Sequence, residues 1–146
     1  MVWNSLLPSN IARLIPQVSG MMYSHTEDEI YVTFYASNST NIPLKGGSVS
    51  IKQKSDYPFD EKITLTLTPE KEQEFTLKLR IPTWARNQFV PGELYNYLGD
   101  VSEEWEVKVN GKKEAVSLEK GFAIINRTWH PGDEVELILP MPVRFN

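Results

Sequence analysis

The chain has 146 residues, of which 40% are hydrophobic and 23% charged, with a formal net charge of −4 and no cysteine. That length supports about one domain. The composition is not that of a disordered chain, and no apolar run approaches the roughly 18 residues that a bilayer-spanning helix needs. Lysine and arginine are dispersed among acids without a basic patch, which argues against a nucleic-acid partner, and the lack of cysteine excludes disulfides, thiolate metal ligands and a cysteine nucleophile within the chain.

In chain order, Met1-Val2-Trp3-Asn4-Ser5-Leu6-Leu7 has no basic n-region and is too short for a secretion signal. The compartment, periplasm or cytoplasm, stays open. Residues 8–19 are predicted as one short α-helix. Ser9 or Asn10 can cap it, Gly20 can end it, and Ile11, Leu14, Ile15 and Val18 form one apolar stripe. Pro16 removes a helical hydrogen bond, and a helix this short is marginal in water, so it needs a surface to pack on.

From residue 21 the apolar period changes to two. Segments 21–24 and 30–36 bracket His25-Thr26-Glu27-Asp28-Glu29, a polar hairpin connection. The small polar residues 37–41 are predicted as a loop, Gly46-Gly47 as a break, 48–54 as a strand and Tyr57-Pro58-Phe59-Asp60 as a turn. Ile63, Leu65 and Leu67 alternate with Thr64, Thr66 and Thr68. After a turn over 69–73, Phe75, Leu77, Leu79 and Ile81 alternate with Thr76, Lys78 and Arg80. Each run is a strand with one buried face.

Residues 83–102 have no clear period, and so long a loop in a compact domain often serves a function. Strands follow over 105–109, 115–118, 122–127 and 135–139. Asn110-Gly111 is a strong two-residue hairpin signal, and Trp129-His130-Pro131-Gly132-Asp133 is a sharp turn. About eight to ten short strands at close spacing predict an all-β, mainly antiparallel β-sandwich over 21–146, preceded by a helical lead-in over 1–20.

Phe75-Thr76-Leu77-Lys78-Leu79-Arg80-Ile81-Pro82-Thr83-Trp84-Ala85, Val107-Lys108-Val109-Asn110-Gly111-Lys112 and the segment 121–144 occur in an order that resembles glycoside hydrolase family 127, which includes β-L-arabinofuranosidases. Pro8-Ser9-Asn10-Ile11-Ala12-Arg13-Leu14 and Ile30-Tyr31-Val32 are similar to it as well. The resemblance implies an (α/α)6 barrel that carries catalysis and β-sandwich domains that pack on it, with this chain matching the last barrel helix and the sandwich after it. It also implies zinc held through cysteines, one of them the nucleophile. Asn4, Leu6 and Leu7 stand where those cysteines are expected, so no catalytic role carries over to them.

The residues themselves offer little chemistry. His25 and His130 are the only histidines, too few for a zinc site, and are expected as surface turn residues. Glu103-Glu104 and Asp133-Glu134-Glu136 are carboxylate candidates, but neighbours in a strand point to opposite faces, and Glu134 and Glu136 fit a solvated face. No catalytic or metal-binding residue is therefore assigned, and no cofactor is expected in this chain. Trp84, Tyr95 and Tyr97, in or beside the aperiodic segment, are the candidate sugar-stacking residues. The alternative for Trp84, and for Trp105 just after the segment, is that they plug the end of the sandwich core or an interdomain seam, and Trp129 is read as a core plug. The expected role is a non-catalytic sandwich whose partner is the parent's catalytic barrel, with weak self-association through the exposed helix. The alternative is a carbohydrate-binding module for plant-type oligosaccharides.

Overall fold

A computed structural model describes Gln17 and residues 20–57, 59–86 and 104–141. The helix predicted over 8–19 lies outside these residues apart from Gln17, as does the aperiodic segment beyond Arg86 as far as residue 103. Among the described residues there are eleven strands: β1 Tyr23–His25, β2 Glu29–Val32, β3 Asn38–Leu44, β4 Gly47–Ser55, β5 Lys62–Pro69, β6 Gln73–Arg80, β7 Glu106–Val109, β8 Lys112–Lys113, β9 Ser117–Glu119, β10 Phe122–Trp129 and β11 Asp133–Ile138. A 3₁₀ turn covers Thr83–Arg86.

The strands form a five-stranded sheet in the order β1-β2-β6-β10-β9 and a six-stranded sheet in the order β3-β4-β5-β11-β7-β8. Pairing is antiparallel except between β2 and β6. The alternation decides the layering. Ile63, Leu65 and Leu67 of β5 and Phe75, Leu77 and Leu79 of β6 turn inward and are all but fully buried. Val49, Ile51, Val107, Val135, Leu137, Ile30, Val32, Ala123 and Ile125 complete the filling between the sheets. Each large aliphatic side chain so buried contributes about 1.5–3 kcal/mol, and this shared apolar layer holds the two sheets face to face.

The sequence reading places the main strands but misses some edges. Of residues 37–41, expected as a loop, Asn38 to Asn41 form the first part of β3, an edge strand that pairs only with β4. Its small polar residues hide the alternation, and Pro43 is tolerated because one side of an edge strand needs no ladder hydrogen bonds. The strand expected over 30–36 stops at Val32, and that expected over 115–118 is displaced to Ser117–Glu119. His25 ends β1 and Glu29 opens β2, rather than both lying in the connection between them.

Asn110 and Gly111 both take positive φ, 51° and 77°, the requirement of the tight hairpin turn whose twist matches its strands. Trp129 is fully buried. Its indole lies 5.4 Å from the Phe75 ring, and its Nε1–H donates to the Phe75 carbonyl at 2.9 Å. This bears out its reading as a core plug.

Candidate functional site

The two ends of the sandwich differ in chemistry. At the end where β6 begins, the connections are short and polar: residues 26–28, 45–46, 70–72, 110–111 and 130–132. Glu27 and Lys45 pair loosely there at 3.7 Å, both well exposed. His130 lies beside Glu72 at 3.4 Å and Asp133 at 3.8 Å. His25 is exposed, its Nδ1 3.3 Å from the Thr26 carbonyl. The two histidines are therefore surface residues near turns, and they belong to different connections.

At the opposite end, where β2, β4, β6 and β11 finish, aromatic side chains converge. Tyr35 meets Tyr57 edge-to-face at 6.4 Å, and Tyr57 stacks on Trp84 at 6.3 Å with an 11° interplanar angle. Trp84 thus has one ring face against Tyr57 and packs on the core. Tyr35 donates its hydroxyl to the Arg80 carbonyl at 2.7 Å. Burial raises both phenols above the ordinary tyrosine value, Tyr35 far above it, so Tyr35 acts as a neutral donor and not as a base. Tyr95 and Tyr97 lie outside the described residues.

Beside this aromatic end is a cleft of about 470 Å³ lined by Arg86, Glu104, Trp105, Glu106, Lys113 and Val116 among others. Arg86 Nε is buried there without a hydrogen-bond partner among the described residues. Trp105 is half-buried and packs against the core. Glu103 lies outside the described residues. Sequence reasoning passed over Phe34, Tyr35, Tyr57, Phe59 and Arg86. The available signal was Tyr57-Pro58-Phe59-Asp60, since two aromatic residues are out of character in an exposed turn.

Several carboxylates are paired within the sheets. On the outer face of the five-stranded sheet, Glu29 accepts from Lys78 Nζ at 2.8 Å and from the Tyr31 hydroxyl at 2.6 Å, and these bonds hold it below the usual carboxylate range. On the six-stranded sheet, Lys113 and Lys108 hold Glu106 low at 3.2 and 3.3 Å, and Lys62 pairs with Glu136. Glu134 is exposed on the same strand. Burial pushes the Asp133 carboxyl up, but the His130 backbone N–H and the Asn110 amide, each at 2.9 Å, outweigh it and leave the group low. A general acid for glycoside cleavage needs the opposite, a raised pKa that keeps its proton at neutral pH. Among the described residues, no group of three or more histidine, aspartate or glutamate side chains could hold a metal ion.

The family model described as "Beta-L-arabinofuranosidase, GH127 middle domain" matches residues 29–141. The chain is 28% identical over 143 residues to a non-reducing end β-L-arabinofuranosidase of Bifidobacterium longum subsp. longum, covering 94% of this chain and 19% of that protein. A solved GH127 β-arabinofuranosidase superposes with a TM-score of 0.88 at 35% identity, over 97% of this chain and 22% of the other. The GH127 β-L-arabinofuranosidase of Geobacillus stearothermophilus T6 superposes with a TM-score of 0.76 at 38% identity, over 92% and 19%. The chain spans about a fifth of the length of these relatives. It belongs to glycoside hydrolase family 127, as its middle domain.

Proposed function

We propose that this middle domain is non-catalytic and braces the catalytic barrel of a GH127 enzyme that hydrolyses L-arabinofuranosides or related glycans. The observation that carries the reading is the match of residues 29–141 to the family's middle domain in a chain one-fifth the length of its relatives. Residue chemistry supports it. The carboxylates with displaced pKa values are held ionised by lysines or amides, and the strands that bear them are braced from both sides. Asn4, Leu6 and Leu7 offer no thiolate, so zinc chemistry in the parent would draw on residues outside this chain. The test is release of nitrophenol from an aryl β-L-arabinofuranoside. The full-length enzyme turns over and the isolated chain gives a flat baseline. Turnover by the chain alone, abolished by one Glu→Gln change, defeats the reading.

A second reading, sugar binding, rests on the cleft lined by both Trp105 and Arg86, whose Nε has no hydrogen-bond partner among the described residues. Trp84 is a weaker platform than its sequence position suggests, because Tyr57 occupies one of its faces. Tyr95 and Tyr97 remain candidates for the same role. Calorimetric titration with arabino-oligosaccharides gives heat that Trp105→Ala removes if this reading holds. The absence of heat at millimolar sugar ends it.

A further inference from the structure

Among the described residues four large apolar side chains are exposed: Phe59 at 95%, Met21 at 57%, Phe34 at 47% and Leu118 at 40%. Leu118 lies on the edge strand β9, whereas the other three lie in connections at the end where β6 finishes, the end that also carries Tyr35, Tyr57 and Trp84. Scattered surface hydrophobics need no explanation, but three gathered at one end are a candidate contact surface. The other surfaces are different. The opposite end is built of short turns with Glu27, Lys45, Lys71 and Glu72 exposed. The outer face of the six-stranded sheet carries Lys52, Thr66, Lys62 and Glu136. The outer face of the five-stranded sheet has half-buried Phe122 beneath the Tyr31-Lys78-Glu29 network.

The backbone enters and leaves at the same aromatic end. Met22, just before β1, accepts from the Thr33 N–H at 2.8 Å. After β11, the Leu139 N–H donates to the Glu61 carbonyl at 2.9 Å and the Met141 N–H to the Glu61 carboxylate at 2.9 Å. Both connections are thus pinned beside the Phe34 and Phe59 loops. In the relatives, about four-fifths of the polypeptide lies beyond the part matched here.

From this coincidence we propose that the aromatic end, with Phe34 and Phe59 as its anchors, is the surface that docks onto the catalytic domain of the same polypeptide. The inference rests on the brace reading and specifies its interface. Two exposed phenylalanines at the same end as a partly buried aromatic stack fit an apolar protein surface better than a sugar or a nucleic acid, because neither phenylalanine offers the polar or charged partners those ligands need.

Amide hydrogen exchange, compared between the isolated chain and the full-length GH127 enzyme that carries this domain, tests it. The expected result is slowed exchange over 33–36, 56–61 and 82–85 in the full-length enzyme, with the charged-end turns unchanged. Phe34→Ser with Phe59→Ser should leave the isolated chain's melting midpoint within about 2 °C, because both positions are exposed. In the full-length enzyme the same pair should abolish the slowed exchange. Protection confined to the outer face around Tyr31 and Phe122, or no difference between the two proteins, overturns the proposal. So does protection that disappears on dilution together with a dimer, since the occupant is then a second copy. Arabinofuranoside turnover by the full-length enzyme is scored separately: its absence defeats the proposed activity and leaves the docking result standing.

Discussion

Asp133 ties two turns together, and its replacement by alanine gives the sharpest test of the electrostatics described above. Its Oδ2 accepts the His130 N–H and its Oδ1 accepts the Asn110 side-chain N–H, both at 2.9 Å. Asn110 in turn accepts the Glu134 N–H through Oδ1 at 2.9 Å and donates its own backbone N–H to the Glu134 carbonyl at 2.8 Å. One carboxylate thus couples the β7–β8 hairpin to the β10–β11 turn. Hydrogen bonds to a charged group contribute about 1.5–3 kcal/mol each, but water can reach Asn110 and His130 once the carboxylate is gone. Asp133→Ala should therefore cost about 2–3 kcal/mol in total, near the low end for two such bonds. For a chain of this size that lowers the melting midpoint by roughly 4–12 °C.

The pH dependence fixes the cause. The folded Asp133 carboxyl titrates below its unfolded value, which is about 3.9. A depressed pKa stabilises the fold above the unfolded pKa, and that contribution is lost as pH falls through the folded value. The gap between the parent chain and Asp133→Ala, measured by urea unfolding, should be full at pH 7 and narrow as pH falls below the unfolded value of about 3.9. Asp133→Asn keeps one acceptor oxygen and should fall between the two. A gap under about 0.5 kcal/mol at pH 7, or one that stays constant into acid, refutes the carboxylate clamp.

Three other outcomes can be read in the same unfolding assay. Trp129→Phe removes the indole donor to the Phe75 carbonyl and part of a fully buried ring, and should cost about 1–3 kcal/mol; a neutral result contradicts the plug. Gly111→Ala places a Cβ at φ 77° in open space, so its cost of about 1–2 kcal/mol is backbone strain alone, and an unchanged midpoint means the turn is not left-handed. Glu29→Gln weakens the Lys78-Tyr31 network and should cost at most about 1 kcal/mol, shrinking in high salt; a larger, salt-independent loss would show that packing rather than charge is disturbed.

What the sequence made legible follows from what a side chain reports. Ile63, Leu65 and Leu67 beside three threonines announce a strand buried on one face, and Asn110-Gly111 announces its turn because few residue pairs tolerate two positive φ values. β3 was missed because Asn38, Ser39, Thr40 and Asn41 carry almost no apolar contrast, while the β4 backbone that orders them does not appear in the side-chain pattern. The parallel pairing of β2 with β6 was equally hidden, since it depends on a crossover through the other sheet.

The aromatic end was unreadable for the same reason on a larger scale. Phe34, Tyr57, Phe59 and Trp84 sit in three connections far apart in the sequence. They share one end because β2, β4 and β6 all run toward it, and strand direction summed over two sheets is a property of topology. Periodicity locates the buried face of each strand, because burial selects residue by residue. A surface made where several strands finish is selected only as an ensemble, so its members are spread through the chain as single aromatics in turns. Phe59 in Tyr57-Pro58-Phe59-Asp60 is the one such residue whose local context contradicts its type. A bulky ring 95% exposed in a polar turn is retained against its own solvation, which is the physical ground for assigning that end a partner.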